Sequence, residues 1–368
     1  MKNYILFIFT MLLATNSKEV TAQNYVDKKY YLVDSLELSN LSESDRLLVD
    51  SCLKIYHAAK HDTTKVNAIN TIVENSWDIN LWPKYNSWVY KFTNNTLSDY
   101  PISPEGHKEK TNSVKFTLHK YLAHALYNFG YFYDTQGDAL LAIECYHKSL
   151  KAYEEIDYKK GMADSYINIG YIHEKQGDIP IAIKYYHENL KLREKIGDKL
   201  EIANAYHIIG YINENQGDIP LALEYYHKSL QLREKIGDKQ GMAQSYNNIG
   251  MVNKSQGDIS LALEYYHKSL KIAEEIGEKQ GIAASHNNIG MIYKDQGDIP
   301  LALEYYHKSL KAYEEIDHKK GMANSYHNIG LIHHDQENIP HALEYYHESL
   351  KIKESPLKKY STYCLLIN

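Results

Sequence analysis

Histidine recurs at every fortieth position along most of the chain, and imidazole is both a common metal ligand and a general base. The members of this histidine series are His147, His187, His227, His267, His307 and His347. Zinc holds nitrogen ligands roughly 2.0–2.1 Å away, whereas equivalent residues of successive helical hairpins lie about two packing distances apart, each roughly 8–10 Å. The spacing therefore argues against a shared metal site and favours half-exposed surface histidines.

Two local histidine clusters offer a weaker metal signal. His57 and His61 are four residues apart, yet the glutamate of an HExxH motif does not lie between them. His333, His334 and His341 stand close together near the end of the chain. Either cluster would bind a metal only adventitiously, so the sequence predicts no metal site and no cofactor.

Enzyme signatures are missing from the sequence. It contains no phosphate loop ending in GK[ST], no GxSxG motif and no cysteine framed as a nucleophile. Catalytic residues must also be unique, whereas nearly every polar residue here is copied up to six times. Repetition of this kind predicts a non-enzymatic binding protein.

The repeated residues belong to a 40-residue unit whose helix-breaking glycines and prolines define two helices. In one copy, apolar residues at helical spacing from Met162 end at Gln176-Gly177-Asp178, where the aspartate can cap the next helix. A second helix covers 181–196 and ends at Gly197-Asp198, with Pro180 in its first turn. Since no segment alternates with the period of a strand, each copy is predicted to be a helical hairpin that stacks on its neighbours.

Three small or aromatic residues recur in every copy. The glycines are Gly130, Gly170, Gly210, Gly250, Gly290 and Gly330; the alanines are Ala142, Ala182, Ala222, Ala262, Ala302 and Ala342; the tyrosines are Tyr146, Tyr186, Tyr226, Tyr266, Tyr306 and Tyr346. This signature resembles the tetratricopeptide repeat (TPR) family, in a 40-residue variety found in exported bacterial proteins. The resemblance implies an all-α fold, a right-handed α-solenoid of stacked helical hairpins, with these residues packed in its core.

The chain divides into four predicted regions. They are a signal peptide at 1–22, a divergent helical region with a degenerate repeat at 23–115, six repeats within 116–355, and a tail at 356–368. The six repeats cover about 123–156, 163–196, 203–236, 243–276, 283–316 and 323–356. Two prolines and a glycine mark 99–112 as the expected linker, and 61–92 has helical spacing. The predicted location is the periplasm, with a retained N-terminal anchor as the alternative.

The family resemblance also implies a peptide-binding groove lined by the first helices. An asparagine stands two residues before five of the six repeated glycines, and Ile208 replaces it in the third copy. These asparagines are Asn128, Asn168, Asn248, Asn288 and Asn328. An amide both donates and accepts, so such a series can clamp the backbone of an extended peptide. The alternative is hydrogen bonding between adjacent helices of the array.

Two further series on the first helices change character along the chain. One residue after each glycine stand Tyr131, Tyr171, Tyr211, Met251, Met291 and Leu331. Four residues after each glycine stand Asp134, Glu174, Glu214, Lys254, Lys294 and His334. An acidic, tyrosine-lined half followed by a basic, aliphatic half predicts a polarised groove that orients its ligand by charge.

The sequence as a whole predicts a binding scaffold or sensing module for a protein or extended peptide, with a possible signalling partner in the cell envelope. The net charge of −6, with signs alternating within each copy, disfavours nucleic acid. After the signal peptide, no apolar segment is long enough for a membrane span. Two alternatives stay open: the sensor region of a truncated histidine kinase or transcriptional regulator, and a structural spacer.

Overall fold

The computed structural model describes residues 28–34, 36–98 and 108–354 of the chain. The predicted signal peptide at 1–22 and the predicted tail at 356–368 lie outside these residues. The chain forms two compact units that divide between Gly161 and Met162. Each unit is described by itself below.

The first unit is built from helices joined by short turns. They are α1 (Lys28–Tyr31), a 3₁₀ turn (Leu38–Asn40), α2 (Glu43–Ala58), α3 (Asp62–Asn75), α4 (Trp82–Ser98), α5 (Lys108–Thr135) and α6 (Ala139–Glu154). From α2 to α5, each helix packs against the next, and α6 packs on α5. The predicted helical stretch 61–92 forms α3 and most of α4, interrupted before Pro83 because proline favours the start of a helix. Of the expected linker at 99–112, residues 99–107 lie outside the described residues, and 108–112 belong to α5.

The second unit consists of regular pairs of helices, and α7 begins just before the division. These helices are α7 (Lys159–Gln176), α8 (Ile179–Ile196), α9 (Lys199–Asn215), α10 (Ile219–Ile236), α11 (Lys239–Ser255), α12 (Ile259–Ile276), α13 (Lys279–Asp295), α14 (Ile299–Glu314), α15 (Lys319–Asp335) and α16 (Ile339–Glu354). Odd-numbered helices are the first helices of the hairpins and even-numbered ones the second helices. The predicted all-α fold of stacked hairpins is confirmed. Within the described ranges, no helix is both long and apolar enough to cross a membrane.

Each hairpin is closed by a glycine that lies against a tyrosine ring. A Cβ atom added to Gly210 would stand 2.8 Å from the ring of Tyr226, closer than real side chains approach. Beside this contact, the hydroxyl of Ser229 donates to the carbonyl of Ala203 at 2.8 Å. Close packing and this buried hydrogen bond together fix how the second helix lies on the first.

The ends of the second helices follow from capping chemistry. The side chain of Asp218 accepts from the backbone N–H of Leu221 at 3.2 Å, and Asp138, Asp258 and Asp298 act likewise on their own helices. At the other end, Gly197 has a φ of 80°, the left-handed conformation that glycine adopts without strain. These two signals set helix boundaries close to those predicted from the sequence. The cap predicted at Asp178 is not formed, because its carboxylate lies 3.4 Å from Nδ1 of His173 instead.

The first-helix face

In the second unit, Asn288 and Asn328 form hydrogen bonds between neighbouring first helices. Asn288 on α13 donates to Oδ1 of Asn247 on α11 at 2.8 Å. Asn328 and Asn287 make the same bond at 2.8 Å one hairpin further on. In each pair the two residues are 41 positions apart. One amide hydrogen of Asn288 and one of Asn328 are therefore used to join consecutive hairpins.

The earlier members of the series have different partners. Asn248 stands 3.2 Å from Nε2 of His207, which takes the place that asparagine holds in the next two copies. Asn168 donates to the carbonyl of Asp164 in its own helix at 2.9 Å. In the first unit, Asn128 donates to Asn86 at 3.1 Å. The structure thus gives every member of the series a hydrogen bond within its own unit, and direct contact with a ligand stays a prediction.

Two residues one position after the glycines are large apolar side chains that are nearly half exposed. Tyr211 on α9 is 47% exposed and Met251 on α11 is 45% exposed. Tyr171 and Met291 are half-buried, and Nζ of Lys175 lies 5.2 Å from the centre of the Tyr171 ring. An exposed aromatic ring and an exposed thioether on consecutive first helices can accept an apolar ligand group.

The acidic residues of this face are held by buried tyrosines. The hydroxyl of Tyr186 donates to Glu174 at 2.5 Å, and that of Tyr226 donates to Glu214 at 2.6 Å. Burial, followed by the hydrogen bond to the carboxylate, raises the pKa of each tyrosine. Because a neutral phenol leaves the charge of its acceptor unchanged, both glutamates remain anionic positions on the face.

The basic residues of the same series are paired within the array. Nζ of Lys254 lies 2.9 Å from Asp295, and Nζ of Lys294 lies 3.8 Å from Asp335. Each aspartate belongs to the next first helix. Both lysines are thus partly neutralised, and the charge difference along the face comes mainly from the two glutamates.

His207 is a half-buried residue of this face, with Nδ1 buried, that sequence reasoning passed over. Burial, and then the positive charge of Arg233, lower the pKa of His207 to about 4. The imidazole is therefore neutral at pH 7, and Nε2 can accept the amide hydrogen of Asn248. The partners Asn247 and Asn287 were missed in the same way, although the offset of 41 residues was present in the sequence.

The histidine series lies elsewhere, on the second helices. His187 contacts the ring of Tyr225 in the next hairpin with 6.2 Å between centroids, and His307 contacts Tyr345 at 6.4 Å. In the local cluster, the rings of His333 and His341 are 5.5 Å apart. Aromatic packing accounts for these positions.

A model of the tetratricopeptide repeat matches the sequence over 121–195, 201–275 and 281–355, which together make up more than half of the chain. The chain belongs to the tetratricopeptide repeat family. The family assignment from the repeated glycine, alanine and tyrosine is thereby confirmed. No curated protein sequence matches this TPR protein significantly.

Solved structures with the same fold include three of differing extent. BtubC (BKLC) from P. vanneervenii has a TM-score of 0.51 and 18% identity, covering 61% of this chain and 96% of that one. Apo RapI has a TM-score of 0.51 and 14% identity, covering 84% and 97%. The STAND protein PH0952 from Pyrococcus horikoshii, with a tetratricopeptide repeat sensor, has a TM-score of 0.53 and 15% identity, covering 87% and 48%. At these identities the likeness establishes the fold alone.

Proposed function

We propose that the second unit of this TPR protein is a non-enzymatic binding module that holds an extended peptide or protein segment along its first helices. The observation that carries the proposal is the pair Tyr211 and Met251, two large apolar side chains left nearly half exposed on consecutive first helices. By contrast, the asparagines and lysines described above on the same helices form hydrogen bonds and ion pairs within the array. An apolar surface flanked by polar groups is typical of a peptide-binding site.

The asparagine series has a supporting role in this proposal. An amide group has two donor hydrogens and an acceptor oxygen. In Asn288 and Asn328, one hydrogen joins the neighbouring helix. A remaining donor or acceptor can bind the ligand backbone, and the inter-helix bond holds the amide in a fixed orientation. Such pre-organisation lowers the entropy lost on binding.

Charge gives the bound segment a direction. Glu174 and Glu214 remain anionic on α7 and α9, whereas Lys254 and Lys294 are paired with aspartates. The basic end of a ligand therefore lies toward α7 and α9, and its apolar end toward α11 and α13. This attraction weakens as salt is added, since the groups are partly exposed.

A displayed library of random peptides, selected against the full chain, supplies ligands for the test. We expect selected peptides to bind the wild type and to lose at least tenfold in affinity for the double variant Tyr211→Ala, Met251→Ala, because about 1.4 kcal/mol of apolar contact is removed. Titration calorimetry measures the affinities. Circular dichroism checks that the double variant keeps its helices.

The matched control is Ile181→Ala on α8, a residue that is 43% exposed on a second helix. It should leave affinity unchanged. If Ile181→Ala weakens binding as much as the double variant, or if neither does, the first-helix face is not the binding surface. A peptide that binds equally well with its charge order reversed would disprove the proposed direction while leaving the site intact.

A further inference from the structure

A lysine begins every first helix from α7 to α15, and four of these five lysines pair with a carboxylate. Lys199, which begins α9, is the exception, since it forms no ion pair among the residues that the structure describes. The four pairs are Lys159 with Asp157 at 2.5 Å, Lys239 with Glu275 at 3.2 Å, Lys279 with Glu315 at 2.6 Å and Lys319 with Asp317 at 2.5 Å.

The repeat register explains why Lys199 differs. Glu275 stands 36 positions after Lys239, near the end of the next second helix, and their contact shows that these two positions meet. The residue 36 positions after Lys199 is Lys235, in the last turn of α10. The same geometry therefore brings two exposed ammonium groups together where the next copy has an ion pair. Two like charges repel each other, and an anionic group placed between them removes that repulsion.

Four carboxylates near these two lysines in the sequence already accept hydrogen bonds from other groups. Lys235, like Lys199, forms no ion pair within the described ranges. Neither lysine is therefore neutralised by direct contact with the array. The four hydrogen bonds are those from Tyr206 to Glu194 at 3.1 Å, from Tyr246 to Glu234 at 3.1 Å, from the N–H of Glu201 to Asp198 at 3.3 Å, and from Arg233 to Asp238 at 3.1 Å.

Lys235 also lines a hollow of about 390 Å³ between α8, α9 and α10. Among the other charged groups around the hollow, Lys228 pairs with Glu224 at 2.6 Å, and Glu194 is bonded to Tyr206 as described above. Ligand-binding hollows measure roughly 300–1,000 Å³, so this one has room for an apolar side chain beside an unpaired positive charge. The apolar walls are formed by Ile202, Tyr206 and Leu232.

We propose that Lys199, Lys235 and this hollow, together called the lysine edge, bind an acidic segment of a partner protein. An aspartate or glutamate of the segment lies between the two ammonium groups, and a neighbouring apolar side chain enters the hollow. Charge complementarity selects this occupant. The lysine edge is separate from the first-helix face, because Lys199 and Tyr211 are about 18 Å apart along α9 at 1.5 Å per residue.

The shape and the charge of the lysine edge favour a protein segment over other anions. A membrane of anionic lipids presents a broad surface that contacts exposed lysines without filling a hollow between helices. Nucleic acid binds through a run of several phosphate contacts, whereas the lysine edge has two unpaired lysines in a chain of net charge −6. A peptide supplies both a single carboxylate and a side chain for the hollow.

The test uses a displayed library of random peptides selected against the full wild-type chain, from which peptides that still bind Lys199→Glu are removed. Lys279→Glu is the matched control, because it makes the same change of charge at the equivalent position of a copy whose lysine is paired with Glu315. Titration calorimetry measures the affinity of the remaining peptides for the wild type and both variants. Circular dichroism checks that both variants keep their helices.

We expect the remaining peptides to be enriched in aspartate or glutamate next to leucine or phenylalanine. Their affinity should fall at least roughly tenfold for Lys199→Glu and stay within about twofold of the wild type for Lys279→Glu. The variant Tyr211→Ala, Met251→Ala should bind them as the wild type does, which separates this site from the first-helix face.

Three results would overturn the proposal. The first is an empty pool, or a pool without acidic peptides. The second is an equal loss of affinity for Lys199→Glu and Lys279→Glu, which would show attraction by overall charge alone. The third is binding of phosphatidylserine vesicles or single-stranded RNA that Lys199→Glu abolishes while peptide binding is unaffected, since another class of anion would then occupy the lysine edge.

Discussion

The first unit and the second unit are stabilised by contacts of different kinds. In α4, Tyr85 is fully buried and its hydroxyl donates to the backbone carbonyl of Tyr31 at 3.0 Å. The next residue, Asn86, is also fully buried and donates to the carbonyl of Ala125 at 2.9 Å. Each of these long-range contacts occurs once. The glycine–tyrosine contact, by contrast, is repeated in each hairpin of the second unit and is also present once in the first, between Gly130 and Tyr146.

This difference predicts how each unit responds to damage. In a repeat array, each hairpin contacts mainly its neighbours. The loss of one contact therefore destabilises the adjacent hairpins, and the other hairpins remain folded. In the first unit, α3 contacts both α4 and α5, and one buried cluster includes residues from α2 to α5. A substitution of one buried residue of this cluster should therefore destabilise all four helices, α2 to α5.

The largest effect is expected from Tyr85→Ala, compared with Tyr226→Ala in α10. Removing either buried ring should cost roughly 3–5 kcal/mol. For Tyr85→Ala, hydrogen exchange should rise throughout α2 to α5, whereas for Tyr226→Ala the increase should centre on α9 to α11. Equally local effects of both substitutions would show that the two units do not differ in this respect.

The next largest effect is expected in the pH dependence of the free energy of unfolding. It comes from His207, which stands where the next two copies have asparagine. His207 has a pKa of about 4 when folded and about 6.5 when unfolded. The unfolded chain therefore binds more protons between these values, and stability falls as the pH drops from about 6.5 toward 4. The loss should reach about 3 kcal/mol at most. Urea unfolding as a function of pH measures it.

His207→Asn is the matched variant, because the next copies carry Asn247 and Asn287 at this position. It should keep the bond to Asn248 and stay stable at neutral pH. Its pH dependence should be weaker than that of the wild type, although His286, whose pKa is also lowered to about 4, contributes in both proteins. The same pH dependence in both proteins would rule out His207 as its source.

Gly210→Ala tests the repeated contact itself. The added methyl carbon would lie 2.8 Å from the Tyr226 ring, so the hairpin must open slightly. We expect a loss of roughly 1–3 kcal/mol from overpacking, measured by thermal unfolding. Alanine is otherwise the better helix former. An unchanged or higher melting temperature would mean that the close contact does not hold the hairpin together.

The smallest effect is expected for the bond between Asn247 and Asn288. Replacing either with alanine should cost about 1 kcal/mol. A double-mutant cycle measures the coupling between the two side chains, which we expect to be roughly 0.5–1.5 kcal/mol. If their effects simply add, the hydrogen bond does not stabilise the contact between hairpins, and ligand binding becomes the better explanation of the asparagine series.

The sequence predicted the helices of the repeats more completely than it predicted the side-chain contacts on the first-helix face. Helix boundaries at Gly177 and Gly197 follow from local backbone chemistry, which every copy repeats. The partners of the asparagines depend instead on how two successive first helices are rotated against each other, and local patterns do not contain that information. Residues 61–92, read from the sequence as a divergent repeat, form α3 and most of α4 with a turn before Trp82.

The central claim is that ligands bind to the first helices of the second unit, and a hydrogen-exchange footprint tests it most directly. A selected peptide is added to the full chain, and exchange is compared in α9 and α11, which carry Tyr211 and Met251, and in α10 and α12, which follow them. We predict added protection in α9 and α11 that is absent in the Tyr211→Ala, Met251→Ala variant. Protection confined to α10 and α12 would contradict the account.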